Sequence, residues 1–148
     1  STEPRAFALL LSRALKIIAP RAVKNSRLDI NYLSHNPEVI RRYEADPLTH
    51  RQITPNLFFG ARKAGYQAIK KAARIQHPIL IMHGTGDKIT SLRASHQLAR
   101  NAQKAGVDAQ FIPWEGLYHE LHNELENEQI FQAILAWLNQ QLEKTTAL

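Results

Sequence analysis

The sequence predicts an α/β protein in two unlike halves: an all-helical segment over residues 1–74, then a β, α, β, α unit over 75–148 with parallel strands and flanking helices. Three observations carry that reading. Before residue 75 the apolar residues recur at steps of three and four. From His77-Pro78 onward, short apolar runs closed by glycine alternate with helical patterns. The charge changes sign with them, since residues 1–74 hold 14 Lys and Arg against 5 Asp and Glu, whereas residues 75–148 hold 5 against 8.

Each element has its own signal. Thr2 caps and Pro4 opens a first helix bearing Phe7, Leu10, Leu11, Ala14, Leu15 and Ile18, which ends before Pro20. A basic linker follows. Asn36-Pro37-Glu38 repeats the cap-then-proline signal ahead of Val39, Ile40 and Tyr43, and Asp46-Pro47 stops that short helix. Thr54-Pro55 opens a third, in which Leu57, Phe58, Ala61, Ala68, Ile69 and Ala72 are placed to bury one face while Gly60 and Gly65 weaken it. The run Ile79 to Met82, closed by Gly84 and Gly86, reads as a strand buried on both faces. Ser91 caps a helix with Leu92, Ser95, Leu98, Ala99 and Ala102 that stops at Gly106. A second strand runs from Ala109 to Trp114. A last helix carries Ile130, Phe131, Ile134, Leu135, Leu138 and Leu142 along one side.

At 148 residues, 44% of them hydrophobic, such a chain is long enough to bury about 68–70% of its unfolded surface as one compact unit. No apolar run approaches the roughly 20 residues that cross a bilayer. Cysteine is absent, which excludes a disulfide framework or a thiolate metal site and suits a reducing cytosol. The opening Ser1-Thr2-Glu3-Pro4 has neither an initiator methionine nor the features of a secretory signal, so the natural start is expected upstream. The basic first half reads as solvated helix faces, its charges falling at helical intervals, and no nucleic-acid motif accompanies them.

Asp87 follows the first strand of the second half on a loop with two glycines, and His119 follows the second strand beyond another. With parallel strands about 4.8 Å apart, both project from the C-terminal edge of the sheet, where an open α/β sheet binds its ligands. A lone Asp or His after a strand is ordinarily a turn or structural residue. A carboxylate that fixes the tautomer of an imidazole and stabilises its protonated form is, however, what a hydrolase base requires.

Two stretches sharpen this. Ile79 to Ile89 reads ILIMHGTGDKI and Trp114 to Glu124 reads WEGLYHELHNE. They resemble the acid-bearing and base-bearing segments of serine α/β-hydrolases of the monoacylglycerol lipase and lysophospholipase type. In that family the acid follows a strand as HGxxD and the base stands in HExxNE, matched here by His119, Glu120, Asn123 and Glu124. Tyr43 to Leu48, preceded by Ser34 to Glu38, is similar to the family's helical cap. The resemblance implies a C-terminal part of the α/β-hydrolase fold, with a cap over 1–74 and core over 75–148. It further implies Asp87 as acid, His119 as base, no cofactor, a lipid-like ester substrate, and a cytoplasmic protein with at most peripheral membrane contact. On the cap, Leu57, Phe58 and Phe59 are candidates to wall an acyl channel, against the plainer reading that they are core.

In this fold the nucleophile precedes the acid and sits in a G-x-S-x-G elbow. Only Ser1, Ser12, Ser26 and Ser34 precede Asp87, and none has the flanking glycines. The serine, its oxyanion hole and the N-terminal strands of the sheet are therefore expected outside this chain, in the same protein or a second one, and the segment alone is expected to be inactive and prone to association through an unpaired strand edge. Two look-alikes are set aside. His83 to Gly86 belongs to the acid loop rather than to an oxyanion loop, and His119 to His122 lacks the fourth-residue spacing of a zinc helix, so no metal is expected. The alternative to an enzyme is a binding or assembly module on a scaffold without chemistry.

Overall fold

The computed structural model describes residues 21–26 and 28–146. The helix expected from Thr2 to Ile18 lies outside the described residues.

The centre is a parallel pair, β3 (Ile79–Gly84) and β4 (Ala109–Trp114), in register from Ile79 opposite Ala109 to Gly84 opposite Trp114. Helix α3 (Leu92–Lys104) makes the crossover. Ser91 caps it by accepting from the Ala94 amide, and it ends in a left-handed turn at Gly106, φ 83°. Small residues bring this helix close: Ala102 meets Ala72 and Ala109, with Ile75, Ile79, Leu98 and Val107 around them. A second cluster at the other end of the strands joins Leu117, Leu121 and Ile130 to Met82, Trp114 and Ile134, and so seats helix α4 (Asn127–Thr146).

Upstream, α1 (Pro37–Ala45) starts on the Asn36 cap and α2 (Pro55–Lys70) on the Thr54 cap, each with proline in its first turn. The end of α2 is tied to α3 where the Asn101 amide donates to the Ile69 carbonyl at 2.9 Å.

The structure departs from the sequence reading at five places. The first half is not all helix, because β1 (Lys24–Asn25) and β2 (Gln52–Ile53) form a small antiparallel pair, too short to leave a periodic signal. The stretch expected as a linker contains a 3₁₀ turn, Ile30–Tyr32, with Ile30, Leu33 and Ser34 buried. Helix α2 buries no residue among those described; its packing partners there include α3 and the turn after it. Strand β3 is half-buried from Ile79 to Met82 rather than enclosed on both faces, and of the apolar residues on α4 only Ile130 is buried, while Phe131, Leu135, Leu138 and Leu142 are 46–65% exposed. Among the described residues β3 has one hydrogen-bonded neighbour, β4, and the outer stripe of α4 meets no further layer. Among the described residues no helix is long and apolar enough to cross a membrane.

Two glycines show how local space decides a substitution. A Cβ on Gly60, in the exposed interior of α2, meets nothing within 4 Å. Gly60→Ala is therefore expected to stabilise the fold by about 0.5–1 kcal/mol. A Cβ on Gly84 would run into the backbone carbonyls of Leu117 and Tyr118. Gly84→Ala is expected to cost about 1–3 kcal/mol. Urea denaturation of the two variants checks both signs.

Candidate active site

The acid and base loops leave the ends of β3 and β4 already laced together. Thr85 donates its amide to the Trp114 carbonyl at 2.8 Å, Gly86 to Leu117 at 2.9 Å, and the Thr85 hydroxyl accepts from the Gly116 amide at 2.8 Å. Gly86 is needed because a Cβ there would collide with the Gly116 carbonyl. Gly116 has φ 74°, a left-handed conformation that lets the base loop turn back.

Asp87 comes to rest 8% exposed, with a donor at almost every lone pair. Oδ1 accepts from the amides of Ile89 at 2.6 Å and Thr90 at 2.9 Å. Oδ2 accepts from the Thr90 hydroxyl at 2.6 Å and lies 2.9 Å from Nδ1 of His119. Burial alone would raise the carboxyl's pKa. The Thr90 hydroxyl, the His119 ring and the two amides outweigh it and hold Asp87 below the ordinary carboxylate range. Facing an ionised oxygen, Nδ1 of His119 is the protonated nitrogen, which leaves the lone pair on Nε2. The ring is 34% exposed. An imidazole so fixed can accept a proton at Nε2 and stabilise the charge against Asp87.

A second buried carboxylate organises the other side of the base loop. Glu124 is 1% exposed. It accepts from the Tyr118 amide at 2.6 Å, the His35 amide at 2.7 Å and the Ser34 hydroxyl at 3.1 Å, with the His35 ring at 3.0 Å. Burial, which raises its pKa, is overcome by those amides and the His35 ring, so Glu124 also sits below its ordinary value. The His119 and Glu120 amides donate to the Tyr32 and Leu33 carbonyls at 3.3 and 2.8 Å, and the His35 and Tyr118 rings stack at 3.7 Å. The loop bearing His119 is thus clamped by residues some ninety positions earlier in the chain. The expected boundary at residue 74 separates sequence patterns, while these bonds cross it.

The structure brings Asp87 and His119 together. Leu57, Phe58 and Phe59 lie on α2, where Leu57 is 60% exposed and the two phenyl rings meet edge-on at 5.3 Å. Phe58 and Phe59 are half-buried. The sequence assigned no part in the site to Ser34, His35, Thr90 or His83, and Glu124 entered only as a member of HExxNE, without a role. Among the described residues no cluster of three or more His, Asp or Glu could hold a metal ion.

The chain is similar to known hydrolases and lipases. The family model described as Hydrolase_4, serine aminopeptidase S33, matches residues 1–126. The monoacylglycerol lipase of Mycolicibacterium smegmatis is 29% identical over 132 residues, which cover 86% of this chain and 45% of the lipase. Phospholipase YtpA of Bacillus subtilis is 30% identical over 132 residues, covering 88% and 50%. In the crystal structure of the Paleococcus ferrophilus monoacylglycerol lipase, a region with 33% identity superposes with a TM-score of 0.83 over 93% of this chain and 53% of that one. A monoglyceride lipase from Saccharomyces cerevisiae, 17% identical, shares the fold with a TM-score of 0.73, over 91% of this chain and 47% of its own. The chain spans about half the length of these relatives.

Removing the second carboxylate strands several donors at once. Glu124→Ala is expected to cost about 2–4 kcal/mol, since the Tyr118 and His35 amides lose a buried acceptor, and Glu124→Gln less. The wild-type chain should lose stability in acid. Asp87 and Glu124, depressed in the folded state, contribute stability that is complete above about pH 4.5 and is lost as pH falls through their folded values. His83, lowered first by burial and only partly restored by the charge of Asp87, adds a loss that begins below about pH 6.5, where the unfolded chain takes up a proton the folded one resists. Denaturation at pH 7, 5.5 and 4 checks the order; stability that is flat or rising on acidification would contradict it.

Proposed function

The chain belongs to the Hydrolase_4 family, serine aminopeptidase S33, and on that premise we propose that it supplies the acid and base of a serine carboxylic ester hydrolase acting on monoacylglycerol-like or lysophospholipid-like esters. One observation carries the reading: Asp87 Oδ2 lies 2.9 Å from His119 Nδ1, at the rim where β3 and β4 end.

His119 Nε2 takes the proton of a serine hydroxyl as its oxygen attacks the ester carbonyl. Asp87 stabilises the imidazolium. The tetrahedral intermediate then collapses, His119 returns the proton to the departing alcohol, and an acyl-enzyme remains. Water, deprotonated by the same ring, releases the fatty acid. The serine lies outside these 148 residues, because none of the serines before Asp87 has the elbow's glycines and Ser34, 3% exposed, spends its hydroxyl on the Asn123 carbonyl at 2.8 Å. The segment by itself is therefore inactive. Residues 1–74 serve as the cap and 75–148 as part of the core. The lipid-like substrate class is supported by the relatives named above, and the exposed Leu57 with the half-buried Phe58 and Phe59 offers the cap an apolar surface to line an acyl channel.

The test uses the complete protein. His119→Ala is expected to abolish ester turnover and labelling of a serine outside this segment by a fluorophosphonate. Asp87→Asn, which leaves the fold intact but presents the wrong tautomer to the base, is expected to lower kcat by about 10⁴-fold. Full activity in His119→Ala would refute the assignment, as would the absence of any labelled serine in the active wild type. Phe58→Ala is expected to raise KM for long-chain esters more than for short-chain ones; equal changes would remove the residue from the acyl channel.

A further inference from the structure

Asp87 is touched by two imidazoles, and the proposed hydrolysis uses one. His83, next to the last residue of β3, is 8% exposed. Its Nε2 lies 3.2 Å from Asp87 Oδ2, and its Nδ1 lies 2.9 Å from the Ser95 hydroxyl on α3. Nε2 has no hydrogen bond of regular geometry. The reason is visible at the acceptor: Oδ2 already faces the Thr90 hydroxyl and His119, so a third donor has to approach off-axis.

The surroundings decide the tautomer. With hydrogen on Nδ1, the Nε2 lone pair would face a carboxylate oxygen in a place closed to water. With hydrogen on Nε2, the Ser95 hydroxyl donates to Nδ1 and the same contact becomes attractive. Burial keeps the ring neutral against the pull of Asp87, so it faces the acid as a dipole.

We infer that His83 is a positioning residue for the acid: held by Ser95, it presents Nε2–H to Oδ2 of Asp87 and shares with His119 the negative charge on that oxygen. The inference rests on the hydrolase reading for its functional meaning. Among the described residues, the ionisable groups within ion-pair range of Asp87 are His83 from β3 and His119 from the base loop. Helix α3 contributes Ser95, and its next residue, His96, lies against Phe111 at 5.2 Å. With part of its charge engaged by His83, Asp87 binds the His119 imidazolium less tightly.

In the complete protein, His83→Phe removes the donor and fills the ring's space. The acidic limb of kcat/KM, and the NMR titration of the His119 ring, are expected to move to higher pH by about 0.5 unit, roughly a threefold gain in proton affinity. His83→Gln, whose amide can donate from a similar position, should restore the limb toward wild type. Ser95→Ala, a mild change in a helix, should move it in the same direction as His83→Phe and covers the case in which that variant does not fold. A purely structural role would lower stability and leave both titrations in place, and unchanged titrations in His83→Phe and Ser95→Ala would overturn the inference. His119→Ala assayed in parallel keeps the two ideas apart: activity there refutes the hydrolase reading, while the NMR titration still judges the contact between His83 and the acid.

Discussion

An ionised carboxylate removed from water costs several kcal/mol unless donors replace its hydration, and the C-terminal rim of this sheet is built around that requirement. Asp87 is met by two backbone amides, a hydroxyl and two imidazoles. Each donor comes with a structural demand. The amides require the loop to curl over the carboxylate after Gly86; His119 requires a base loop that turns back at Gly116; His83 requires β3 to end with its side chain under the acid. The glycines, the loop lengths and the register of the two strands are consequences of supplying one anion.

Glu124 applies the same physics to a different end. Its partners come from both halves of the chain, so its charge is stabilised only when the segment around Ser34 and His35 is seated on the base loop. A neutral contact of the same area would tolerate sliding. A buried charge with amides pointed at it does not, because each displaced donor leaves an unpaired group behind. The orientation of His119 is in this way coupled to a region that contributes no group to the proposed chemistry.

Much of the fold near the rim was legible in the sequence. The run Ile79 to Met82 between Pro78 and Gly84, the Ser91 cap and the Gly106 stop leave few choices, and Asp87 and His119 follow the two strands at once. What was hidden shares one property, the lack of a period. Strands of two residues, a single 3₁₀ turn at Ile30–Tyr32, and the bonds from Glu124 to Ser34 and His35 depend on tertiary neighbours that no local pattern encodes. His83 was read as part of a loop motif, and only its burial shows that it faces the acid. The two stripes of α4 were merged because helical spacing tells which residues are apolar and not which of them become buried: among the described residues Ile130 is, and Phe131 stays half exposed.

The shared register of β3 and β4 has a practical side. Both strands start together at Ile79 and Ala109 and end together at Gly84 and Trp114, so a residue added to either rim loop would pull the carboxylate and imidazole out of step. The opposite end, where α3 gives way at Gly106 and an exposed Asp108 leads into β4, lies about 16–20 Å away along six-residue strands. That turn is where a tag, a spectroscopic label or a tethering peptide can be spliced in at a distance from the rim.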